Sequence, residues 1–386
     1  MPAAHATTQL SRDEELLWIA LLITPGLGSR KAIDLVRQFR TPKALFRASA
    51  SELTAAGAAP APARAIACGA TMEDAARQHQ SMLDLGACLI PIADPCYPEL
   101  LRNIYDPPLA LFARGLTEAL ERPMFGIVGS RRATPYGMAA AGRLAGDLAQ
   151  RGLIVVSGMA AGIDTAAHTA ALDAGFPTIA VFGCGVDVIY PAHNRRLAQR
   201  IVENGLVLSE FPMGTPAYPQ NFPIRNRIVS GLSAGVMVVE GSQYSGSAIT
   251  ARLAADQGRE VFAVPGNITS PLSWSPNLLI KQGAHLVQNA EDILAALPTG
   301  VRAALRQEPR DETNNPLQAS LLYGASGTLQ AQLLEVIGVD TPISLDDLVE
   351  KILDHSPSEI IAALLELEFA GRIRQLPGKT FVRVWV

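Results

Sequence analysis

The sequence predicts an α/β protein: an extended, Rossmann-like doubly wound parallel sheet, flanked by a small helical N-terminal domain and a C-terminal winged-helix domain. Two observations lead to this prediction. In the middle of the chain, short apolar runs rich in β-branched residues alternate with helix-length segments, whereas both ends show helical periodicity. In addition, a length of 386 residues corresponds to two or three domains.

Composition shifts give the predicted domain boundaries. We expect a helical domain of the helix-hairpin-helix or SAM-like kind at 10–78, the Rossmann-like domain at 82–297, a linker at 298–328 and the winged helix at 329–386. The linker prediction depends on the stretch QEPRDETNNPLQAS, in which Pro, Asn and charged residues replace the apolar pattern.

The first domain contains a recognisable turn. The segment ITPGLGSRKAIDLV (23–36) places Gly-x-Gly between two predicted helices and resembles the helix-hairpin-helix of DNA-binding proteins, whose backbone N–H groups meet phosphates. A second hairpin, expected around 52–66, is degenerate and rich in proline. DNA binding by this domain and a structural or partner-contacting role are therefore equal alternatives.

The central sheet is predicted from six buried strands. They are FGIV (125–128), LIVVS (153–157), TIAVF (178–182), LVLSE (206–210), GVMVVE (235–240) and EVFAVPG (260–266). A helix-length segment separates each pair, which is typical of parallel strands buried on both faces. Two earlier candidates, CLIPI (88–92) and LALFARG (109–115), predict an extension in front of this core.

The last domain is predicted to hold three helices, at 329–337, 344–354 and 357–370, followed by the two-stranded wing RIRQLPGKTFVRV. Such a domain usually binds DNA. However, the helix that would enter the groove carries Glu359, Glu366 and Glu368, which phosphates repel. A protein-contact module and a degenerate DNA binder both remain open.

Charge and composition exclude several classes. Between Leu329 and Arg383 lie nine acidic and five basic residues, which account for the whole net charge of −4, so a basic patch elsewhere is allowed. The longest apolar run, Leu16–Ile23, is eight residues, too short to span a membrane. No signal peptide is recognisable and the four cysteines form no CxxC pair, so we expect a reduced, cytoplasmic setting.

Small residues follow several of the predicted strands, at 129–132, 157–162, 183–185 and 241–247. One such loop means little, because any strand-to-helix turn favours glycine. Several on one edge of a sheet favour a phosphate-rich ligand, since helix N-termini offer free N–H groups there. The chain lacks GxxxxGK[ST] and a strand followed by GxGxxG, so we expect no cofactor.

Candidate ligand contacts lie on these loops. Arg131, next to Gly129 and Ser130, stands where a guanidinium suits a phosphodiester, although a salt bridge at the sheet edge is equally compatible. In FPIRNRIVSG, Phe222 precedes three further polar candidates, Arg225, Asn226 and Arg227. Charge beside an aromatic ring suits single-stranded nucleic acid. The alternatives are a core position for Phe222 and a pairing of one arginine with Glu210 or Glu240.

Other polar residues give weaker signals. Lys281 is a phosphate contact or simply a solvated helix end. Asp164 and His168 lie one helical turn apart and could serve a hydrolase, but a helix-start carboxylate with a packed partner explains them better. The six histidines lack metal-ligand spacing and no GxSxG elbow is present. We therefore predict no catalytic residue and no metal.

A family resemblance follows from the order of these motifs. The strings are YPELLRNIYDPPLALFARG, VGSRRATPYG, SGMAAGIDTAAH, FGCGVDVIYPAHN, SEFPMG, FPIRNRIVSGLS, SGSAITARLAADQGREVFAVPG and LIKQGA. Over roughly 97–290 they closely resemble the DNA-processing protein A family, also called Smf. Two departures are a Ser-Trp-Ser stretch at 273–275, where many members have Ser-x-Gly, and a non-basic loop before Phe222.

The resemblance implies a cytoplasmic, non-catalytic protein that binds single-stranded DNA and dimerises through its Rossmann-like domain. It also implies loading of the RecA recombinase onto DNA protected by single-strand-binding protein, in natural transformation and recombination. By position, the family's DNA contacts fall on Gly129, Ser130, Arg131, Phe222, Arg225, Asn226, Arg227 and Lys281.

The competing class is an enzyme, a nucleoside-monophosphate phosphoribohydrolase on a related Rossmann-like sheet. Such enzymes carry a PGGxGTxxE loop whose glutamate does the chemistry. The nearest segment here, EGSQYSGSAITA (240–251), has neither PGG nor a following glutamate. The sequence therefore favours binding over catalysis.

Overall fold

The computed structural model describes residues 10–305, 327–338, 341–352, 355–369, 371–376 and 378–384. Residues 306–326, which are most of the linker predicted at 298–328, lie outside these ranges. The first part of the predicted linker contains a short helix, Thr299–Ala304. The chain begins with six helices: α1 (Arg12–Leu22), α2 (Ser29–Phe39), α3 (Pro42–Leu45), α4 (Ala50–Ala55), α5 (Pro60–Ala67) and α6 (Met72–Asp84).

Local sequence explains where these helices begin. Ser11 and Glu14 form a capping box that satisfies free N–H groups at the start of α1. Ser49 and Glu52 do the same for α4. Helices α1 and α2 are joined by the predicted Gly-x-Gly turn.

Nine strands form the central sheet: β1 (Cys88–Pro91), β2 (Ala110–Gly115), β3 (Met124–Val128), β4 (Ile154–Ser157), β5 (Thr178–Val181), β6 (Leu206–Ser209), β7 (Gly235–Val238), β8 (Glu260–Ala263) and β9 (His285–Leu286). Their order is β1-β2-β6-β5-β4-β3-β7-β8-β9. All pairs are parallel except β1 with β2 and β2 with β6. The predicted extension is thus an antiparallel edge.

Helices cover this sheet: α7 (Glu99–Arg102), α8 (Pro135–Gln150), α9 (Ile163–Asp173), α10 (Arg195–Asn204), α11 (Asn221–Leu232), α12 (Gly246–Asp256), α13 (Trp274–Lys281), α14 (Ala290–Ala296) and α15 (Thr299–Ala304). Strand β3 pairs with β4 on one side and β7 on the other, so the strand order reverses there. At such a point a crevice opens beyond the carboxyl ends of the strands.

The N-terminal helices and the sheet share one hydrophobic core. A single cluster of buried side chains includes Leu21, Ile66 and Met82 from the helices and continues into Ile90 and Leu208 of the sheet. In addition, the side-chain amide of Gln78 in α6 donates to the carbonyl of the buried Met213 and accepts from its N–H. A second cluster fills the face of the sheet covered by α8 and α9.

The C-terminal residues form a winged helix, as predicted. Its helices are α16 (Gly327–Val336), α17 (Leu345–Lys351) and α18 (Pro357–Phe369), and its sheet has the order β10-β12-β11, with β10 (Ile343–Ser344), β11 (Ile373–Leu376) and β12 (Thr380–Arg383). Within the described ranges, no helix combines the length and apolar sequence that crossing a membrane requires.

Candidate nucleic-acid interface

A cleft of about 600 Å³ opens where the strand order reverses. Its walls include the loops after β3, β4, β5, β6 and β7, together with the first turns of α11 and α12. The sequence predicted that small-residue loops would converge at this edge. Of the eight candidate contacts, six line the cleft: Gly129, Ser130, Arg131, Phe222, Arg225 and Asn226.

The turn after β3 is packed tightly and directs Arg131 outward. A Cβ at Gly129 would lie 2.5 Å from Cγ1 of Ile163 at the start of α9, so only glycine fits there. The carbonyl of Ser130 accepts the N–H of Ile163 at 3.2 Å, and its hydroxyl accepts the N–H of Arg132 at 3.1 Å. These bonds fix the turn, and the Arg131 side chain is exposed in the cleft.

Arg131 lies over an aromatic ring. Its Cζ is 5.2 Å from the ring centroid of Phe222, within the range of a cation–π interaction. Phe222 is the second residue of α11 and is half-buried. Arg131 comes from the turn after β3 and Phe222 from the first turn of α11, so together they present a positive charge and a flat apolar face to the same space.

Tyr190 is a lining residue that the sequence analysis did not single out. It follows β5 within the loop FGCGVDVIYPAHN, and its ring centroid lies 5.5 Å from that of Phe222. The two ring planes are tilted by 37°. An aromatic residue inside a glycine-bearing loop at the predicted edge was the available signal.

Arg225 forms part of the floor of the cleft and is only 4% exposed. Its guanidinium rests on the backbone of Gly158, where any Cβ would overlap it. Burial lowers the pKa of Arg225, while nearby Asp164 opposes the shift and Arg131 adds to it. Guanidinium remains protonated in proteins, so a buried cation stands beneath the exposed one.

The Nε atom of Arg225 is buried without a hydrogen-bond partner in the part of the chain that the structure describes. A buried donor of this kind is costly to leave unpaired. Asp164 holds the neighbouring backbone instead, because its Oδ2 accepts the N–H groups of Gly158 and Ala160 at 3.1 and 3.2 Å. Burial raises the pKa of Asp164. The arrangement suits an anion entering the cleft.

The structure separates Arg227 from the other arginines. Its guanidinium binds both carboxylate oxygens of Glu210, at 2.5 and 2.7 Å, and its Nε donates to the carbonyl of Asp106 at 2.8 Å. This buried pairing is the alternative that the sequence left open for one of the arginines.

The last two candidates lie at different places. Lys281 ends α13 as an exposed residue outside the cleft. Asn226 lines the cleft, with its Nδ2 3.5 Å from the carbonyl of Gly246.

His168 is a neutral, packed residue. The Thr178 hydroxyl donates to the carbonyl of Val155 at 2.7 Å and therefore accepts the Nδ1–H of His168, also at 2.7 Å. Burial, aided by the charge of Arg225, lowers the pKa of His168 to about 3. Among the described residues, no three His, Cys, Asp or Glu side chains are placed to hold a metal ion.

The buried histidine predicts a pH dependence of stability. Because the pKa of His168 is about 3 in the folded state and about 6.5 in the unfolded chain, the unfolded chain binds more protons between these two pH values. Stability contributed by neutral His168 is complete above pH 6.5 and is lost as the pH falls toward 3. Relative to His168→Leu, we expect the wild type to lose on the order of 2 kcal/mol between pH 7 and 4.5. Urea unfolding at both pH values measures this, and parallel curves would contradict it.

Comparisons with known proteins identify related DNA-processing proteins. A family model described as DNA recombination-mediator protein A matches residues 88–298, and a DprA winged helix domain model matches residues 320–379. Protein Smf of Escherichia coli (strain K12) is 42% identical over 292 residues, covering 75% of this chain and 76% of that protein. DNA processing protein DprA of Bacillus subtilis (strain 168) is 45% identical over 214 residues, covering 55% and 72%.

A solved structure agrees with the fold. The X-ray structure of DNA processing protein A (DprA) from Streptococcus pneumoniae aligns with a TM-score of 0.67 and 35% sequence identity. The alignment covers 73% of this chain and 98% of that one. With a family model matched over more than half of its length and both domain types present, the chain belongs to the DNA recombination-mediator protein A family, known as DprA or Smf.

Proposed function

We propose that the protein binds single-stranded DNA in the cleft at the carboxyl edge of the sheet and acts on it without catalysis. The observation that carries this proposal is the Arg131 guanidinium lying 5.2 Å from the Phe222 ring centroid, above the buried Arg225. The arginines that line this open cleft attract a backbone phosphate, and the ring offers a face to an unpaired base. Family membership supports the same conclusion.

The chemistry of the cleft favours single strands over duplexes. In a duplex the bases are stacked on one another, and a protein ring cannot lie against them without unstacking. In a single strand each base has a free face, whose stacking on an aromatic ring contributes about 1–3 kcal/mol. The exposed rings therefore favour single-stranded over double-stranded DNA, while the arginines of the cleft bind phosphates of any sequence.

The carboxylates around the cleft support binding over the alternative phosphoribohydrolase activity. Glu240 accepts the N–H and the hydroxyl of Thr134, at 2.9 and 2.5 Å, and so anchors the start of α8. Asp164 binds the backbone after β4, and Glu210 binds Arg227. Each of these carboxylates stabilises the scaffold, which leaves it poorly suited to general acid–base chemistry.

Fluorescence anisotropy of a labelled oligo-dT and of a duplex of equal length, titrated at several salt concentrations, tests the proposal. We expect the single strand to bind more tightly and its affinity to fall steeply with salt, because bound phosphates release counterions. Equal affinity for the two DNAs, or no binding at low salt, contradicts the proposal. Base release from nucleoside monophosphates would then favour the enzyme.

A role in recombination would require partners in addition to DNA. We propose that the protein works in the cytoplasm as a homodimer and loads the RecA recombinase onto strands covered by single-strand-binding protein, in recombination and natural transformation. Support comes from family membership. The test is RecA ATP hydrolysis on covered strands, which the protein should accelerate, with molar mass measured by light scattering. An unchanged rate of RecA ATP hydrolysis would contradict the loading role. A monomeric mass would contradict the homodimer.

Phe222 gives a prediction that separates a DNA contact from a core residue. We expect Phe222→Ala to weaken single-strand binding by about 1–3 kcal/mol, because the stacking face is lost. The half-buried ring should leave the fold intact, which circular dichroism and the melting temperature check. Phe222→Tyr, which keeps the ring, is the matched control. A cooperative unfolding transition lost in Phe222→Ala would instead identify the ring as core.

A further inference from the structure

Tyr190 is the most exposed aromatic side chain that lines the cleft, with 46% of its surface accessible. Its ring is tilted by 37° against that of Phe222, so the two rings do not merge into one stacked unit. An exposed ring inside a functional cleft leaves apolar surface in water, which burial beneath a ligand would remove. Neither the sequence motifs nor family membership assigns this residue a role.

The loop that carries Tyr190 is held in place on both sides. After it, the Asn194 side chain donates to the carbonyl of Met159 at 3.1 Å and to the hydroxyl of Thr165 at 2.9 Å. Before it, the Asp187 carboxylate accepts the N–H of Gly214 at 2.9 Å. A ring on an anchored loop loses little freedom on binding, which is the property of a preorganised contact.

Phe222 itself has limited free surface. Arg131 lies over its ring and Tyr190 lies beside it, so the three side chains form a row of flat groups in the order Arg131, Phe222, Tyr190. Because Phe222 is the half-buried middle member, the larger accessible aromatic face of the row belongs to Tyr190. A strand whose phosphate is held by Arg131 and Arg225 can then place bases along the row.

We propose that Tyr190 is a second base platform, so that the cleft holds two unpaired bases of one strand, one against each ring. This inference rests on the proposed binding of single-stranded DNA. This base-stacking role differs from a supporting role, in which Tyr190 would only hold Phe222 in place. The two roles predict different results when the rings are removed singly and together.

The experiment is a double-mutant cycle with labelled oligo-dT, using Tyr190→Ala, Phe222→Ala and the pair. We expect Tyr190→Ala to lower the affinity about 5- to 100-fold, as loss of one stacked base implies, and to do so equally with or without Phe222. Tyr190→Phe should retain the affinity. Tyr105→Ala is the matched control, because Tyr105 is 79% exposed and lies outside the cleft.

Each outcome decides between the roles. If Tyr190→Ala has no effect once Phe222 is alanine, Tyr190 only supports Phe222 and the proposal is overturned. Unchanged affinity of Tyr190→Ala overturns it as well, while the binding function stands because the wild type still binds. Should the wild type bind no oligonucleotide, both fail together. Tyr190→Leu, which keeps apolar bulk without a ring, must show the same loss if the alanine variant proves unstable.

Discussion

Replacing Arg131 by alanine is expected to weaken binding of single-stranded DNA about 10- to 100-fold and to flatten its salt dependence. A hydrogen bond to a charged group contributes about 1.5–3 kcal/mol, and Arg131 is an exposed cation of the cleft wall, next to Arg132. Loss of one phosphate contact should reduce the slope of log affinity against log salt by about 0.7 for a single strand. Anisotropy at four or more salt concentrations measures both quantities.

Two variants make this result specific. Arg131→Lys keeps the charge but loses the planar group that lies over Phe222, so we expect an unchanged slope with reduced affinity. Arg200→Ala removes a half-buried arginine that pairs with Asp173 at the end of α9, at the opposite edge of the sheet. It should leave affinity and slope unaltered. If Arg131→Ala behaves like Arg200→Ala, the cleft is not the DNA site.

Replacing Arg227 by methionine is expected to destabilise the fold by about 3–5 kcal/mol. Both members of the Arg227–Glu210 pair are about nine-tenths buried, and removing one partner leaves the other charge uncompensated. Removing both, in Arg227→Met with Glu210→Leu, should restore much of the lost free energy. Urea unfolding measures the free energy of each variant.

The same variants decide the role of Arg227. Sequence and family resemblance placed Arg227 among the DNA contacts, whereas the structure gives it a scaffold position beside α7. Under the scaffold role, folded Arg227→Met protein at low temperature retains most of its affinity for single strands. A large loss of affinity with normal stability would return Arg227 to the DNA interface.

The fold class was predictable because buried parallel strands leave a strong local signal. Each of the six central runs overlaps an observed strand, and the observed ends differ from the predicted ones by at most three residues. Strands β9 and β10 were missed because each has two residues, too few to establish a pattern. The antiparallel pairing of β2 with β6 was also hidden, since it depends on contacts distant in sequence.

The site was predictable at the level of loops but not of individual arginines. Arg225 and Arg227 are the same residue type two positions apart, and two positions on a helix correspond to a turn of about 200°. One therefore enters the cleft while the other points to Glu210. Sequence alone does not tell which side of α11 faces the cleft, because this depends on how α7 and α12 pack against it. Tyr190 lies in a loop, where no periodicity exists to read.

The shared core of the N-terminal helices and the sheet affects how the chain unfolds. Because Leu21, Ile66 and Met82 belong to the same buried cluster as Ile90 and Leu208, opening the helices would expose apolar surface of the sheet to water. The two parts should therefore melt as one cooperative unit, with slow amide hydrogen exchange in α1 and α6 as well as in the strands. The N-terminal helices thus contribute to the rigidity of the scaffold that carries the cleft.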